Sequence, residues 1–205
     1  MESPGSVLFR QRRAGRLLGR ESEGHRFRFE EFDIVKFRTM KPNAEAKTGA
    51  VVAAENDDRV TRVGRFLRRT RFDELPQLWN VLRGDMSLVG PRPERPELIE
   101  NLALAIPFFE ERMRGVRPGL TGLAQVSLGY TGRPLPGSKI AEFASSLTNP
   151  FKVDGAEGAL ADDMRIKALF DFAYGGAIED FLSFVRMETW ILVQTPLAVL
   201  RRTGR

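Results

Sequence analysis

Two adjacent carboxylates, Asp73 and Glu74, stand in the stretch RRTRFDELPQLWN (68–80). Arg62, Arg65, Arg68, Arg69 and Arg71 precede them, and a proline-bound loop, VGPRPERPE (89–97), follows with Arg92 and Arg95. An acid pair can act as a nucleophile, as a general base or as a ligand to a hard cation such as Mg²⁺. Guanidinium groups nearby keep a carboxylate charged. They would also neutralise a phosphorylated substrate, whose own charge otherwise repels an attacking carboxylate. Phosphoryl transfer rests mainly on such positioning and charge stabilisation. A plainer reading competes: Asp is a favoured N-cap, and acids in a first helical turn suit the helix dipole. On the pair alone the cap is the stronger reading. The arginines and the Arg92 loop shift the balance toward chemistry.

Other chemistries are poorly supplied. The 205-residue chain has no cysteine and one histidine, His25. Thiolate nucleophiles, disulfides and cysteine-held zinc are excluded, and a serine–histidine triad would rest on His25 alone. Neither a GxxxxGK[ST] loop nor a GxGxxG turn occurs, so nucleotide binding would not use those folds.

The elements that must position the pair can be outlined. Residues 7–12 and 26–38 alternate apolar and charged side chains, which predicts a β-hairpin with RAGRLLGRESEG as its connection. Residues 59–72 predict a short basic helix. ELPQLWNVLRG predicts a second helix, with Leu75, Leu78, Trp79 and Leu82 as its apolar face, Arg83 in the last turn and Gly84 as C-cap. Residues 85–97 predict a rigid extended loop, and ELIENLALAIPFFEERMRGV a helix interrupted at Pro107. Residues 117–137 predict loop with short extended pieces. Residues 40–58 carry only a weak helical pattern, and 138–160 commit to nothing. Two helices close the chain. The expected fold class is α+β: a mainly helical single domain with a small β-hairpin, associated with a membrane surface.

Net charge is +5 and the pI about 10.0, a balance that favours anionic partners. FRQRRAGRLLGR (9–20) holds Arg10, Arg12, Arg13, Arg16 and Arg20 with no acid among them. No apolar run reaches the ~18 residues of a spanning helix. WILVQTPLAVL (190–200), beside the basic tail, reads equally well as an interfacial helix or a core-packing one. A basic module for nucleic acid or anionic membrane is therefore an alternative, but helix-turn-helix, aromatic RNA-binding and zinc signatures are missing.

KFRTM (36–40), DDRVTRVGRFLRRTRFDELPQLWNVLRGDMSLVGPRPERPE (57–97) and VRPGLTGLAQV (116–126) together resemble the bacterial sugar transferases, the small monotopic polyprenyl-phosphate phosphoglycosyl transferases. With SPGSVLFRQRRAGR and the C-terminal helices, the resemblance covers most of the chain. It implies transfer of a sugar-1-phosphate from a UDP-sugar to polyprenyl (undecaprenyl) phosphate, releasing UMP, at the cytoplasmic face of the bacterial inner membrane. It implies an aspartyl-phosphosugar intermediate and Mg²⁺, as a first step in building exopolysaccharide, O-antigen or another glycoconjugate. Carried over, Asp73 is nucleophile and Mg²⁺ ligand, and Glu74 orients or deprotonates groups beside it. Arg92 holds a phosphate, with Arg68, Lys36, Arg38 and Arg117 as further members of the cradle. The resemblance implies no nucleic-acid partner and leaves room for a homodimer.

The sequence also departs from the pattern. Family members carry an apolar re-entrant helix before the SPG block. This chain opens MESPGS, so the expectation is a catalytic domain over 1–205 without that helix. AQVSLGY lacks the usual Asn-Gly, residues 130–160 read as an insertion, and FVRMETW stands where SLWLDLK is usual, with Glu188 near the expected Asp. An inactive homologue that only binds a nucleotide sugar is the remaining alternative.

Overall fold

The structure is a computed structural model. It describes residues 3–20, 27–42, 44, 57–128, 142 and 156–200, with side chains in all of these except 156–163. The expectations for most of 40–58 and for 130–155 lie outside the described residues, and so does His25.

The hairpin is present. β1 (Leu8–Arg20) pairs antiparallel with β2 (Phe27–Phe37), setting Arg13 opposite Phe32 and Phe9 opposite Lys36. β1 is longer than the alternation predicts, because the supposed connection RAGRLLGR is itself strand. Register breaks between Ala14 and Leu17, and again before Gly19, absorb the lost alternation. Packing holds this extension in place. Ala14 and Leu17 are buried, and the Ala14 N–H donates to Glu94 O at 2.9 Å.

Thr61 caps α1 (Arg62–Thr70), its side chain accepting from the Gly64 N–H at 2.9 Å. Gly64 lies against the backbone of Thr39: an added Cβ would sit 2.0 Å from Thr39 O. This contact lays the basic helix across the KFRTM segment. α2 (Gln77–Arg83) ends as expected on Gly84, in the left-handed conformation with its N–H bonded to Asn80 O and Val81 O. Its start corrects the sequence reading. The N-cap position is Pro76, no side chain caps it, and Asp73 lies in a separate 3-10 turn.

The 85–97 stretch is not wholly loop. β3 (Ser87–Val89) pairs in parallel with β4 (Gly119–Thr121). The two segments cross so closely that a Cβ on Gly90 would fall 2.3 Å from Arg117 O, and one on Gly119 2.1 Å from Gly90 N. Only glycine permits that approach. α3 (Pro96–Ala105) then stops before Pro107, and a 3-10 segment (Phe109–Met113) follows. α4 (Leu123–Leu128) is a helix where loop was expected. The two closing helices are α5 (Ala156–Ala177) and α6 (Phe181–Leu200).

One core cluster joins Ala14 of the hairpin to Ile99, Leu102, Ile106, Phe109 and two residues of α5, Met164 and Ala168. Another joins Val89, Val116 and Leu123 to Tyr174 of α5 and Ile191 of α6. The loop after β3 is thus held between the hairpin and the C-terminal helices. α2 is packed by its polar side: Gln77 and Asn80 are buried, whereas Leu75, Leu78, Trp79 and Leu82 are exposed. None of the helices among the described residues is long and apolar enough to cross a membrane.

Candidate active site

Three stretches that are distant in sequence meet at the acid pair. Phe72–Glu74 form a 3-10 turn between α1 and α2. Arg71 enters it at φ 60°, a left-handed conformation unusual for a residue with a side chain. The reversal, tied by the Arg71 N–H to Arg68 O at 3.3 Å, carries the chain inward. Asp73 and Glu74 are consequently buried, at 8% and 6% exposure. Lys36 arrives at the end of β2, and Arg92 on the loop after β3.

Glu74 Oε1 accepts from Arg92 Nη2 at 2.6 Å and from Lys36 Nζ at 3.2 Å. Burial by itself would raise the Glu74 carboxyl. The charges of Arg92 and Lys36, with the Arg92 hydrogen bond, overcome that and hold it well below the usual carboxylate range. Lys36 is pulled down by burial, against the charge of Glu74. Glu74 is therefore a fixed anion that organises two cations and has little capacity as a base.

Asp73 differs. Burial, then the charge of Glu74, pushes its carboxyl up, and Lys36, Arg71 and Arg68 oppose the shift. The expectation that cations keep both acids charged holds for Glu74, while Asp73 is shifted the other way because desolvation outweighs them. Asp73 Oδ1 is buried with no hydrogen-bond partner. A buried anionic oxygen without a donor is costly unless something binds it. That oxygen suits Mg²⁺, which takes one or two carboxylates and completes its shell with water and substrate phosphates. Among the described residues, no three or more His, Asp or Glu gather as a cation cage.

The remaining predicted cations separate. Arg68 donates from Nε to Thr39 Oγ1 at 2.8 Å, and its charge still reaches Asp73. Arg38 donates to Pro4 O and Ser3 O at 2.8 and 3.0 Å, clamping the amino-terminal segment. Arg117 is exposed on the crossing that holds the Arg92 loop; its carbonyl abuts Gly90. The structure thus brings Asp73, Glu74, Lys36 and Arg92 together, places Arg68 at the margin, and does not bring Arg38 or Arg117 to the pair.

Supporting residues other than Glu188 were not foreseen. Arg112 Nη2 donates to Arg92 O at 2.7 Å, and Arg112 Nε to Asp171 Oδ2 of α5 at 2.7 Å. Both side chains of this ion pair are buried. Asn80 is fully buried and links α2 to β2, accepting from the Val35 N–H at 3.0 Å and donating to Asp33 O at 2.9 Å. Tyr174 donates to Glu188 Oε1 at 2.7 Å, so Glu188 joins α6 to α5. Polar residues inside otherwise apolar helical patterns were the available signal for Asn80 and Asp171.

An acid pair on a tight turn, beside cations delivered by a hairpin and a proline-bound loop, defines a site whose charges suit an anionic ligand. The chain belongs to the bacterial sugar transferase family, whose model matches residues 1–141. It is 42% identical over 174 residues to UDP-N-acetylgalactosamine-undecaprenyl-phosphate N-acetylgalactosaminephosphotransferase of Aeromonas hydrophila, covering 85% of this chain and 32% of the relative. It is 51% identical over 126 residues to UDP-glucose:undecaprenyl-phosphate glucose-1-phosphate transferase of Caulobacter vibrioides, covering 62% of this chain and 42% of the relative. The chain therefore spans less than half the length of these two relatives.

Proposed function

We propose that this protein is a phosphoglycosyl transferase that moves a sugar-1-phosphate from a UDP-sugar to undecaprenyl phosphate. Family membership and the names of the relatives support the reaction class. The observation that carries the assignment of residues is Asp73: buried, with an unpartnered Oδ1, beside an acid already occupied by two cations.

In this reading an Asp73 oxygen attacks the phosphorus that bears the sugar. A bond forms between Asp73 and that phosphorus, the bond to the leaving phosphate breaks, and UMP departs with its electron pair. The phosphate of undecaprenyl phosphate then attacks the same phosphorus, and Asp73 leaves as carboxylate. The acceptor phosphate is already anionic at neutral pH, so no base is needed. Glu74 instead fixes Lys36 and Arg92 where the transferred charge accumulates. Mg²⁺, held by Asp73 and the donor's phosphates, would neutralise further phosphate charge.

Access to a lipid substrate fits the exposed apolar side chains. Val63 and Phe66 of α1, Phe72 of the catalytic turn, and Leu75, Leu78, Trp79 and Leu82 at α2 are all at least 42% exposed. Arginines 62, 65, 69 and 83 lie among them. Such a surface suits the interface of an anionic membrane, here the cytoplasmic leaflet.

The test is UMP release from a panel of UDP-sugars with undecaprenyl phosphate and Mg²⁺. The wild type turns over with at least one donor, and Asp73→Asn lowers kcat by about a thousandfold or more. An unchanged rate in Asp73→Asn sinks the nucleophile assignment. Mass spectrometry of the wild type with donor alone should find a phosphosugar on Asp73.

A further inference from the structure

The arginine run 9–20 has so far no part in this site, and the structure divides it. Arg12 pairs with Glu31 and Asp33 at 3.4 and 3.7 Å, Arg16 with Glu30 at 2.7 Å, and Arg20 with Glu110 at 3.0 Å. Arg10 lines an outer cleft of about 170 Å³ together with Arg12, Trp79 and Arg83. These four occupy the outer side of the hairpin or its far end. Arg13 does not.

Register places it. Arg13 lies opposite Phe32, and directly paired residues of an antiparallel ladder share a face. Phe32 shares its face with Ile34 and Lys36, since alternate residues of a strand point the same way. Arg13 and Lys36 are therefore cations on the same face of the hairpin. The next residue, Ala14, is hydrogen-bonded to Glu94 O, which stitches β1 to the loop of Arg92. The charges acting on Arg13 are those of Glu94, Arg92, Arg95 and Glu74, of which Arg92 and Glu74 belong to the site, and Arg13 in turn acts on Lys36.

Its bonding is incomplete. Arg13 Nη2 donates to a neutral acceptor, Gln11 Oε1, at 2.6 Å. Its Nε is buried with no partner. Burial pulls the guanidinium down to about 10, with Glu94 the main opposition. A guanidinium shielded from water, beside like charges and with an unused N–H, is costly in the empty protein. An incoming phosphate removes the repulsion and fills the donor with a charge-assisted bond.

Resting on the transferase reading, the geometry points to Arg13 as a further substrate-binding residue, which takes a phosphate oxygen through its Nε beside Lys36 and Arg92. The ligand is a phosphate of the donor's diphosphate or the phosphate of the lipid acceptor, and two measurements separate these.

UDP binding is measured by calorimetry, without turnover, for wild type, Arg13→Met, Arg13→Gln and the outer-face control Arg12→Met. The acceptor KM and kcat are measured on the same proteins. Arg13→Met weakens either UDP binding or the acceptor KM by about ten- to hundredfold, as expected for a charge-assisted hydrogen bond, while its unliganded Tm holds or rises. Weakened UDP binding assigns the donor, and a raised acceptor KM with intact UDP binding assigns the lipid phosphate. Arg13→Gln keeps polar contact with Gln11 and carries the test if the methionine variant does not fold. Wild-type UDP binding and wild-type acceptor KM in a folded Arg13 variant overturn the assignment, as does a fall in Tm as its sole effect. UDP binding is read even if no donor is turned over, so failure of the transferase reading leaves its own signature.

Discussion

Asp73 and Glu74 are neighbours in sequence but opposites in ionisation. Glu74 is stabilised as an anion by Arg92 and Lys36, whereas Asp73 bears the cost of burial and of its neighbour's charge. The sign for stability follows from linkage. A folded-state carboxyl raised above its ordinary 3.8 favours the folded state at low pH, and that contribution is lost as pH rises through the raised value. At neutral pH an ionised Asp73 is thus destabilising, so Asp73→Asn should raise Tm by about 2–4 °C while abolishing turnover. The gain should shrink as pH falls toward 3.8, measurable by calorimetry across a pH series. A lower Tm for Asp73→Asn at pH 7 would contradict the burial cost. The acid limb of kcat/KM in the wild type should correspondingly lie above the ordinary Asp value. At this scale the sequence named the acid pair and, among its candidate cations, Lys36 and Arg92, but not how differently the two acids ionise. Desolvation depends on how deeply the turn is buried, and nothing local to FDEL encodes that depth.

At the scale of elements, α2 is the instructive case. Its residues predict an amphipathic helix whose leucines form the packed face, and the helix forms. The face that packs is the polar one, because Asn80 is recruited to bond the β2 backbone and Asp85 Oδ2. Asn80→Leu leaves the buried Val35 N–H without its acceptor and should cost about 3 kcal/mol. Urea denaturation checks this, and a loss below about 1 kcal/mol would show that the link is dispensable. For the closing helices the sequence left the packed face open, and there the buried positions include Tyr174 and Ile191 together with Asp171, which is paired with Arg112. β1 extends beyond its alternating segment because the loop at Glu94 and the wall formed by α3 provide partners from outside the hairpin. α4 escaped prediction because glycine and proline dominate its surroundings, and six residues carry too little periodicity to outweigh them.

At the scale of the whole molecule, the apolar side chains exposed on α1, the Phe72–Glu74 turn and α2 lie on or beside the turn that carries Asp73. The proposed membrane contact predicts that Leu75→Asp with Leu82→Asp reduces binding to anionic vesicles by about ten- to hundredfold, given two leucines withdrawn from the interface. Because Leu75 and Leu82 are 48% and 80% exposed, the stability loss should stay within about 1 kcal/mol. Sedimentation with liposomes and urea denaturation measure the two, and undiminished vesicle binding would remove this face from the membrane reading. By itself the sequence determined the family, the acid pair, the hairpin and the basic helix, because long specific blocks and local periodicity are written in neighbouring residues. Only the tertiary structure decided which cations reach the pair, which face of α2 is covered, and which arginine of the 9–20 run turns inward. Those outcomes depend on register, burial and long-range hydrogen bonds, such as Ala14 to Glu94 and Arg112 to Arg92. Their energies arise between segments that no single stretch of sequence contains.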